Sequence, residues 1–392
     1  MRIRALMTVL VCLFAIGFSC RKPYNPPLIS SNQSYLVVDG VINSGSDSTI
    51  IYLSRTVKLN SKLFRNPEQG ATLKVESDKN DVYILQETIP GKYITTNLNL
   101  PTDRNYRMHI YTSGNKEYAS DYVENKITPP IDSVYAVPLT TGVQFSVTTH
   151  DNTNKTRYYR WDYTESWSYE IGEQASRLIY RNGQILSRSP DSLVNLCYKY
   201  PRHNSSVFLA NSAKLIQDVI NKLPLGYVDG STGKITKTYE LLVNQYALTS
   251  EAYKYWTLLK TNSEGLGTIT DPLPSQSITN IHCITNPAEP VIGYVSVSTI
   301  AVKRVFLAGR NLPFAVLAKD SVSCGGGIIW MQPESTFLFR LNQLMASGDT
   351  LLVKFETRDD GVGGYSYENA ICSDCRLRGG TTTKPAYWPS GL

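Results

Sequence analysis

Seven short runs rich in β-branched and aromatic residues lie between residues 35 and 124, and they restrict the possible folds more than any other feature. Turn formers separate them, such as NSG at 43–45 and SDKN at 77–80. The runs are YLVVDGVI (35–42), STIIYLSR (48–55), ATLKVES (71–77), DVYILQE (81–87), GKYITT (91–96), NYRMHIYT (105–112) and EYASDYVE (117–124). This spacing predicts a mainly β protein whose residues 34–128 form an immunoglobulin-like or transthyretin-like β-sandwich.

The remainder of the chain, residues 129–392, is longer and less regular. It begins in ITPPID, where Pro129 and Pro130 interrupt a strand and favour extended backbone, so we place a domain boundary there. Strand-like runs recur beyond it, for example TYELLVNQYAL (238–248) and VIGYVSVSTI (291–300). We predict one larger β-rich second domain that carries one or two packed helices and ends in a cysteine-containing tail.

A helix is predicted near residues 250–263. The supporting apolar stripe has the spacing i, i+3, i+4 and i+7 and consists of Ala252, Tyr255, Trp256 and Leu259. Thr249 or Ser250 can cap the first turn. A weaker helix is predicted at 212–223.

Residues 156–170, TRYYRWDYTESWSYE, place a row of aromatic side chains on one face of a predicted strand. The row is Tyr159, Trp161, Tyr163, Trp167 and Tyr169. The inner face of a sandwich is the more common location of such a row. The alternative is a platform for carbohydrate stacking or for a partner, in which Tyr159, Trp161, Tyr163 and Trp167 bind the ligand.

The N-terminus has the pattern of an export signal. Arg2 and Arg4 precede an uncharged apolar segment, 5–18, that is too short to cross a bilayer as a permanent helix. Cys20 follows at the position where a bacterial lipoprotein receives its lipid. We therefore predict a lipoprotein signal at 1–19, lipidation of Cys20 and a tether at 20–33, so that lipid chains hold the protein at the membrane. The alternative is a soluble secreted protein.

Five cysteines remain beyond Cys20: Cys197, Cys283, Cys324, Cys372 and Cys375. An exported protein enters an oxidising compartment, where disulfides are the default expectation. A zinc site or free thiols are the alternatives. We predict disulfides among Cys283, Cys324, Cys372 and Cys375, with at least one bond from the C-terminal tail to the body, and a free thiol at Cys197.

Charge and motifs exclude several function classes. The formal charge is +6 and becomes about +4 when Arg2 and Arg4 leave with the signal, too little for a nucleic-acid-binding surface. The sequence contains no HExxH, no GxSxG and no Walker-type phosphate loop, and its four histidines are scattered. We assign no catalytic residues, metal or cofactor. Asp359 and Asp360 are the one adjacent carboxylate pair considered for a hydrolase site.

Several stretches, in this order, carry a family resemblance: CRKPYNPP, YLVVDGVINSG, IYLSRT, RYYRWDYTESW, LLVNQYALTSEAYKYWTLLKTNSEGLG, DPLPSQ, NPAEPVIGYVSVS and the closing CSDCRLRGGTTTKPAYWP. The chain resembles the uncharacterised Bacteroidota lipoproteins known as domain of unknown function 4249. The resemblance implies an outer-membrane-associated lipoprotein, often encoded beside TonB-dependent receptors, without established enzymatic activity. Cys20 matches the lipid-bearing cysteine of the family, whereas the basic Arg21 and Lys22 leave open whether the protein faces the periplasm or the surface.

The expected function is that of a lipid-anchored outer-membrane protein that does not act as an enzyme. It would serve as a binding or accessory component of a TonB-dependent transport system, with the transporter as its partner and an unidentified ligand. A surface polymer hydrolase and a structural or adhesive lipoprotein are the alternatives.

Overall fold

Buried and partly exposed side chains alternate along the predicted strands. The computed structural model describes residues 34–57, 66–171, 177–204, 206–264, 278–313 and 324–389. All seven predicted runs form strands within these ranges. Leu36 and Val38, for example, turn into the core while Val37 between them is partly exposed. The mainly β fold class is confirmed.

In chain order, the first strands are β1 (Leu36–Asn43), β2 (Thr49–Arg55), β3 (Asn66–Pro67), β4 (Thr72–Ser77), β5 (Val82–Ile89), β6 (Lys92–Thr95), β7 (Asn105–Tyr111), β8 (Glu117–Ser120), β9 (Val123–Glu124), β10 (Ile131–Pro138), β11 (Gly142–Asp151) and β12 (Tyr158–Glu170). They are followed by β13 (Leu178–Arg181), β14 (Gln184–Ser187), β15 (Leu196–His203), β16 (Phe208–Asn211), β17 (Asp218–Asp229), β18 (Thr238–Leu248), β19 (Ile281–Cys283), β20 (Val291–Gly293), β21 (Val297–Ser298), β22 (Ile300–Ala308), β23 (Gly326–Trp330), β24 (Thr350–Thr357) and β25 (Gly363–Asn369). The α-helices are α1 (Ser250–Glu264), α2 (Glu334–Met345) and α3 (Ala370–Ser373).

The first sandwich is a single hydrogen-bonded sheet in the order β19-β8-β7-β4-β5-β6-β2-β1-β20. The first half of β5 pairs with β4 and its second half pairs with β6, so β5 leads from one layer to the other. Side chains from both layers share one core, in which Leu36, Leu73, Tyr93 and Met108 are fully buried. One face of each layer is thereby buried from solvent.

Three of the strands in this first sandwich come from late in the chain. β20 and β21 both pair in parallel with β1, and β19 pairs antiparallel with β8. Ile281, Val291 and Val297 lie in the core of the first sandwich. The prediction that residues 129–392 form one second domain is therefore wrong for the segment 281–298. Its strands satisfy their backbone hydrogen bonds on the edges of the first sandwich, a long-range pairing that the local sequence does not encode.

The second sandwich begins after Pro129 and Pro130, with β10. Its smaller sheet has the order β10-β11-β17, and its larger sheet has the order β15-β12-β18-β22 with β16 paired to β12. Phe145 of the smaller sheet and Tyr239 of the larger one stack with ring centroids 5.5 Å apart. Both rings lie in a core that draws side chains from the two sheets.

Helix α1 confirms the helix predicted near 250–263. The Oγ1 atom of Thr249 accepts a hydrogen bond from the backbone N–H of Ala252, which caps the first turn. Ala252 and Tyr255 are buried against Tyr294, a residue of the segment between β20 and β21. Ala252, Tyr255 and the partly buried Trp256 thus pack at the junction of the two sandwiches, whereas Leu259 of the predicted stripe is 41% exposed.

The weaker helix predicted at 212–223 is wrong. A turn occupies its first part, and β17 begins at Asp218. β17 pairs with β11 along most of its length, and Ile220 and Leu225 enter the core of the second sandwich. Pairing with β11 and burial of these side chains outweigh the weak local preference for a helix.

A third group of elements was not predicted as a unit. Strands β23, β25 and β24 form a small sheet, and Ile329, Phe337, Leu341 and Leu352 form its core with α2. Helix α2 was not predicted, although Phe337 and Leu341 have helical i, i+4 spacing. The hairpin of β13 and β14 also packs on this core.

The disulfides correct two of the cysteine predictions. Cys197 is bonded to Cys375, and Cys324 is bonded to Cys372. Cys283, predicted to be bonded, is a buried free thiol in the first sandwich, whereas Cys197, predicted to be free, holds the tail. The physical reason is the change of domain: β19 carries Cys283 to the sheet of β8, away from both tail cysteines.

The C-terminal tail is tied to the body, as predicted. Backbone hydrogen bonds join Thr381 and Tyr198 in both directions. Trp388 is buried with its ring edge-on to Tyr198 and to Phe306, and the Arg304 guanidinium lies 4.0 Å from the centroid of the Tyr387 ring. The tail therefore crosses from β15 to β22.

Replacement of Ile281 tests whether the late segment belongs to the first core. Ile281 is 1% exposed, whereas Ile284, just past the end of β19, is 52% exposed. We expect Ile281→Ala to lower the free energy of unfolding by about 2–5 kcal/mol because it leaves a cavity. The control Ile284→Ala changes this free energy by less than about 0.5 kcal/mol. Denaturant titration measures both variants, and equal effects would contradict the assignment.

Candidate binding cleft

The predicted lipidation site and tether lie outside the described residues, since the description begins at residue 34. Cys20 therefore stays a prediction from the sequence. Among the described residues, no helix is both long enough and apolar enough to span a membrane.

The aromatic row of β12 lies inside the second sandwich. Tyr159 and Trp161 are fully buried, Tyr163 is 5% exposed, and Trp167 packs at the edge of the same core. The indole N–H of Trp161 donates to Oε1 of Gln245 at 2.7 Å, and the Tyr159 hydroxyl donates to Asp218. These side chains are core residues, which confirms the inner face of a sandwich as their location, and the alternative of a ligand platform is wrong. The larger sheet needs large rings to fill the space between the layers.

Asp359 and Asp360 lie in an exposed turn between β24 and β25. The Asp360 carboxylate is paired with the Arg358 guanidinium, which lowers the pKa of Asp360 below its usual value. A polymer hydrolase site would need aromatic rings beside these carboxylates, but the aromatic row of β12 is buried in the second sandwich. Across the described ranges, no cluster of three or more His, Cys, Asp or Glu side chains is arranged to hold a metal ion.

His109 is the one histidine in a dense polar network. Its Nδ1 lies 2.8 Å from Glu76 Oε1 and its Nε2 lies 2.8 Å from Glu117 Oε1. Carboxylate oxygens accept hydrogen bonds, so whichever ring nitrogen of His109 carries a proton has a carboxylate acceptor within reach. Arg107 makes two hydrogen bonds to Glu76 and lies 4.9 Å from the centroid of the Tyr122 ring. The network therefore reaches the wall of a cleft.

This cleft lies at the junction of the two sandwiches and is the candidate functional site, which we call the junction cleft. It has a volume of about 560 Å³. One wall belongs to the first sandwich and contains Asn105, residues from 121–126, Asn280 and Tyr294. The other wall belongs to the second sandwich and contains residues from 155–158 and 248–251. Sites between packed units are common places for ligand binding.

A second hollow of about 690 Å³ adjoins the junction cleft. The two share three lining residues, Glu124, Lys126 and Lys155. Its other walls come from residues 127–130 and 150–153, which include the double proline. The two hollows are therefore neighbours that meet at these three residues.

The first wall is fixed by the late segment of the chain. The backbone N–H of Lys126 donates to the Val297 carbonyl, and the Thr299 N–H donates to the Lys126 carbonyl, each at 3.0 Å. The Asn280 side chain donates to the Val295 carbonyl and accepts from the Val295 N–H, both at 2.9 Å. The Tyr294 ring stacks on Tyr255 of α1 with centroids 5.1 Å apart. These bonds hold the wall in one arrangement.

The second wall depends on a turn organised by Asp151. Its carboxylate accepts hydrogen bonds from the backbone N–H groups of Thr153, Lys155 and Thr156 at 2.8 to 3.0 Å. Burial raises the pKa of Asp151, but these bonds and that from the Thr153 hydroxyl lower it by more, so the pKa lies below its usual value. A carboxylate that stays ionised keeps the turn, and with it Lys155, in place.

The charged side chains of the cleft are mostly held by partners. Lys126 Nζ lies 2.8 Å from a carboxylate oxygen of Glu124. Glu251, in the first turn of α1, accepts a hydrogen bond from the Ser250 hydroxyl, which lowers its pKa. Lys155 is exposed, and no described residue forms an ion pair with its ammonium group. The cleft therefore offers a ligand two kinds of group: carboxylates whose positions are fixed by partners, and the ammonium group of Lys155.

Sequence reasoning did not find these cleft residues. The double proline marked where the chain leaves the first sandwich, and the capping of α1 was foreseen. Lys126, Lys155 and Glu251 are far apart in the sequence and share no motif. Their proximity follows from the return of the late segment.

The comparison with protein families decides the family. The model for the domain of unknown function DUF4249 matches residues 21–304. The chain belongs to the DUF4249 family. The matched range contains the first sandwich, both walls of the junction cleft and the second sandwich up to the middle of β22. A search of curated proteins finds no match.

Two solved structures show weak similarity to this DUF4249 protein. A segment of two fibronectin type III domains from chicken tenascin has 13% identity and a TM-score of 0.14, and the alignment covers 55% of this chain and 91% of that one. Escherichia coli α2-macroglobulin activated by porcine elastase has 10% identity and a TM-score of 0.18. That alignment covers 86% of this chain and 26% of the α2-macroglobulin chain. Scores this low support no argument about fold or function.

Replacement of His109 tests the network beside the cleft. The hydrogen bond from His109 lowers the pKa of Glu117; burial raises the pKa of Glu76, and the bonds from His109 and Arg107 lower it by more. Carboxyls with a lowered folded pKa stabilise the fold above their unfolded pKa, and this stability is lost as pH falls through the folded pKa.

We therefore expect His109→Gln to be less stable than wild type at pH 7, and the difference to shrink as pH falls below about 4.3. The matched control is His282→Gln. The His282 side chain is 57% exposed, and its Nε2 lies 3.2 Å from a carboxylate oxygen of the exposed Asp121. This control should change stability little at either pH. Thermal unfolding across this pH range measures the difference, and a constant difference would contradict the role of His109 in lowering the pKa values of Glu76 and Glu117.

Proposed function

We propose that this DUF4249 protein is an outer-membrane lipoprotein that acts as a non-enzymatic binding or accessory component of a TonB-dependent transport system. Cys20 carries the lipid, the tether at 20–33 separates the body from the membrane, and the junction cleft contacts the ligand.

The anchoring part of the proposal is supported by the sequence. Arg2, Arg4 and the apolar segment 5–18 form an export signal, and Cys20 follows it directly. The resemblance to Bacteroidota lipoproteins agrees with this reading. Two or three acyl chains on one residue bind a membrane far more firmly than a single chain, so a lipidated Cys20 is a stable anchor.

The disulfides support an exported protein. Cys197–Cys375 and Cys324–Cys372 have the Cα separations of ordinary disulfides, 5.7 and 5.9 Å. Such bonds form and persist outside the reducing cytosol. They fix the tail and the small third sheet of a protein that works in the cell envelope.

The observation that carries the binding role is the preformed junction cleft. Its walls are held by backbone and side-chain hydrogen bonds, and Asp121, Glu124 and Glu251 each have a hydrogen-bond or ion-pair partner. The lowered pKa of Glu251 keeps it ionised, which suits acceptance of hydrogen bonds rather than proton donation. A rigid site of this kind favours binding because its side chains lose little conformational freedom when a ligand enters.

Mass spectrometry of the mature N-terminus tests the anchor. We expect lipid on Cys20 in the wild type and none in Cys20→Ala, which accumulates as uncleaved precursor or as soluble protein. The matched control is Cys12→Ala, which lies within the signal and should leave lipidation unchanged. An unacylated residue at or near position 20 in the wild type would contradict the anchor.

The same proteins test the partner. Affinity purification of the lipidated protein from detergent-solubilised outer membrane should recover one TonB-dependent transporter repeatedly, and Cys20→Ala should recover much less. Recovery of no transporter across repeats would contradict the accessory role.

A further inference from the structure

The junction cleft presents equal numbers of cationic and anionic side chains. The cations are Lys126, Lys155 and Arg157, and the carboxylates are Asp121, Glu124 and Glu251. Because these formal charges cancel, the lining does not favour a strongly anionic or a strongly cationic ligand. A neutral ligand that forms many hydrogen bonds fits this lining better.

Hydrogen-bonding groups of both kinds surround the cleft. The carboxylates accept, and Lys155 donates. The Asn105 amide has both kinds of group, and the hydroxyl of Ser250 has them too. Each hydroxyl group of a sugar donates one hydrogen bond and accepts others, so adjacent hydroxyls can satisfy a lining of mixed donors and acceptors.

Aromatic rings lie among these polar groups. Tyr122 is 44% exposed, and Tyr158 on the opposite wall is partly exposed. The Arg107 guanidinium orients the Tyr122 ring, and Tyr253 contacts Tyr158 with centroids 5.2 Å apart. Rings held in this way pack against the apolar C–H faces of a pyranose, while their hydroxyls remain available to bond.

Two neighbouring hollows offer space for more than one sugar unit. The second hollow meets the cleft at Glu124, Lys126 and Lys155, and both volumes fall within the usual range for ligand sites, about 300–1,000 Å³. We propose that the junction cleft binds a neutral oligosaccharide, with Tyr122 as the stacking residue and Lys155 as a hydrogen-bond donor. This inference rests on the proposed binding function and names its ligand class.

Affinity electrophoresis in native gels tests the inference with the full lipidated protein in detergent. The probes are soluble neutral polysaccharides, namely an α-1,4-glucan, a mixed-linkage β-glucan, a galactomannan and an arabinoxylan, with polygalacturonate as the acidic comparison. We expect at least one neutral polysaccharide to retard the wild type. Tyr122→Ala should weaken this binding about tenfold or more, which corresponds to 1.4 kcal/mol. Lys155→Ala should weaken it as well.

The matched control is Tyr200→Ala, which removes a tyrosine that is 70% exposed on β15 and lies outside the lining of the cleft. It should be retarded as strongly as the wild type. Thermal unfolding of each variant establishes that it is folded; Tyr122 and Lys155 are both exposed, so neither replacement empties the core.

Three results would overturn the inference: no retardation by any neutral polysaccharide, retardation by polygalacturonate alone, or unchanged binding in both cleft variants. Transporter recovery, measured in parallel, separates this inference from the proposed function. Recovery of the transporter without retardation overturns the ligand class alone. Retardation that depends on Tyr122, without recovery of a transporter, supports the cleft as the sugar site and contradicts the transport role.

Discussion

The parallel pairing of β20 and β21 with β1 is the interaction on which the rest of the structure depends. The backbone N–H of Ile42 donates to the Ser296 carbonyl, and that of Ser44 donates to the Ser298 carbonyl. Gly293 is needed in this pairing because its φ is +131° and an added Cβ would lie 2.2 Å from the Val38 carbonyl oxygen. The chain forms most of the first sandwich, then most of the second, and returns at residues 281–298 to complete the first. These bonds fix that return.

This return explains why the junction cleft is preformed. A single linker at Pro129 and Pro130 would allow the two sandwiches to move as domains usually do. Here the chain crosses the junction several times, and α1 packs Tyr255 against Tyr294 of the returning segment. The walls of the cleft are therefore set by the fold rather than by the ligand. A ligand that matches them binds at a small cost in conformational entropy.

Local patterns allowed much of the fold to be predicted, and the limits of that prediction have physical causes. The strands formed by the seven runs of residues 35–124, and helix α1, follow from side-chain periodicity and turn chemistry, which act over a few residues. The register of β20 on β1, the pairing of Cys197 with Cys375 and the strand at 218–229 depend on contacts between distant segments. The aromatic row of β12 had the correct periodicity, but only its position between two layers separates a core from a binding platform. The cleft residues have no shared motif, so no sequence pattern could have grouped them.

Hydrogen exchange of the native protein tests most directly whether the late segment is part of the first sandwich. Amide exchange, followed by mass spectrometry under native conditions, reports the free energy of the opening that exposes each segment. We predict that peptides covering 36–44 and 291–298 exchange together, at a rate set by unfolding of the first sandwich. Exchange of 291–298 that is orders of magnitude faster, while 36–44 stays protected, would show that the segment detaches independently and would contradict this account.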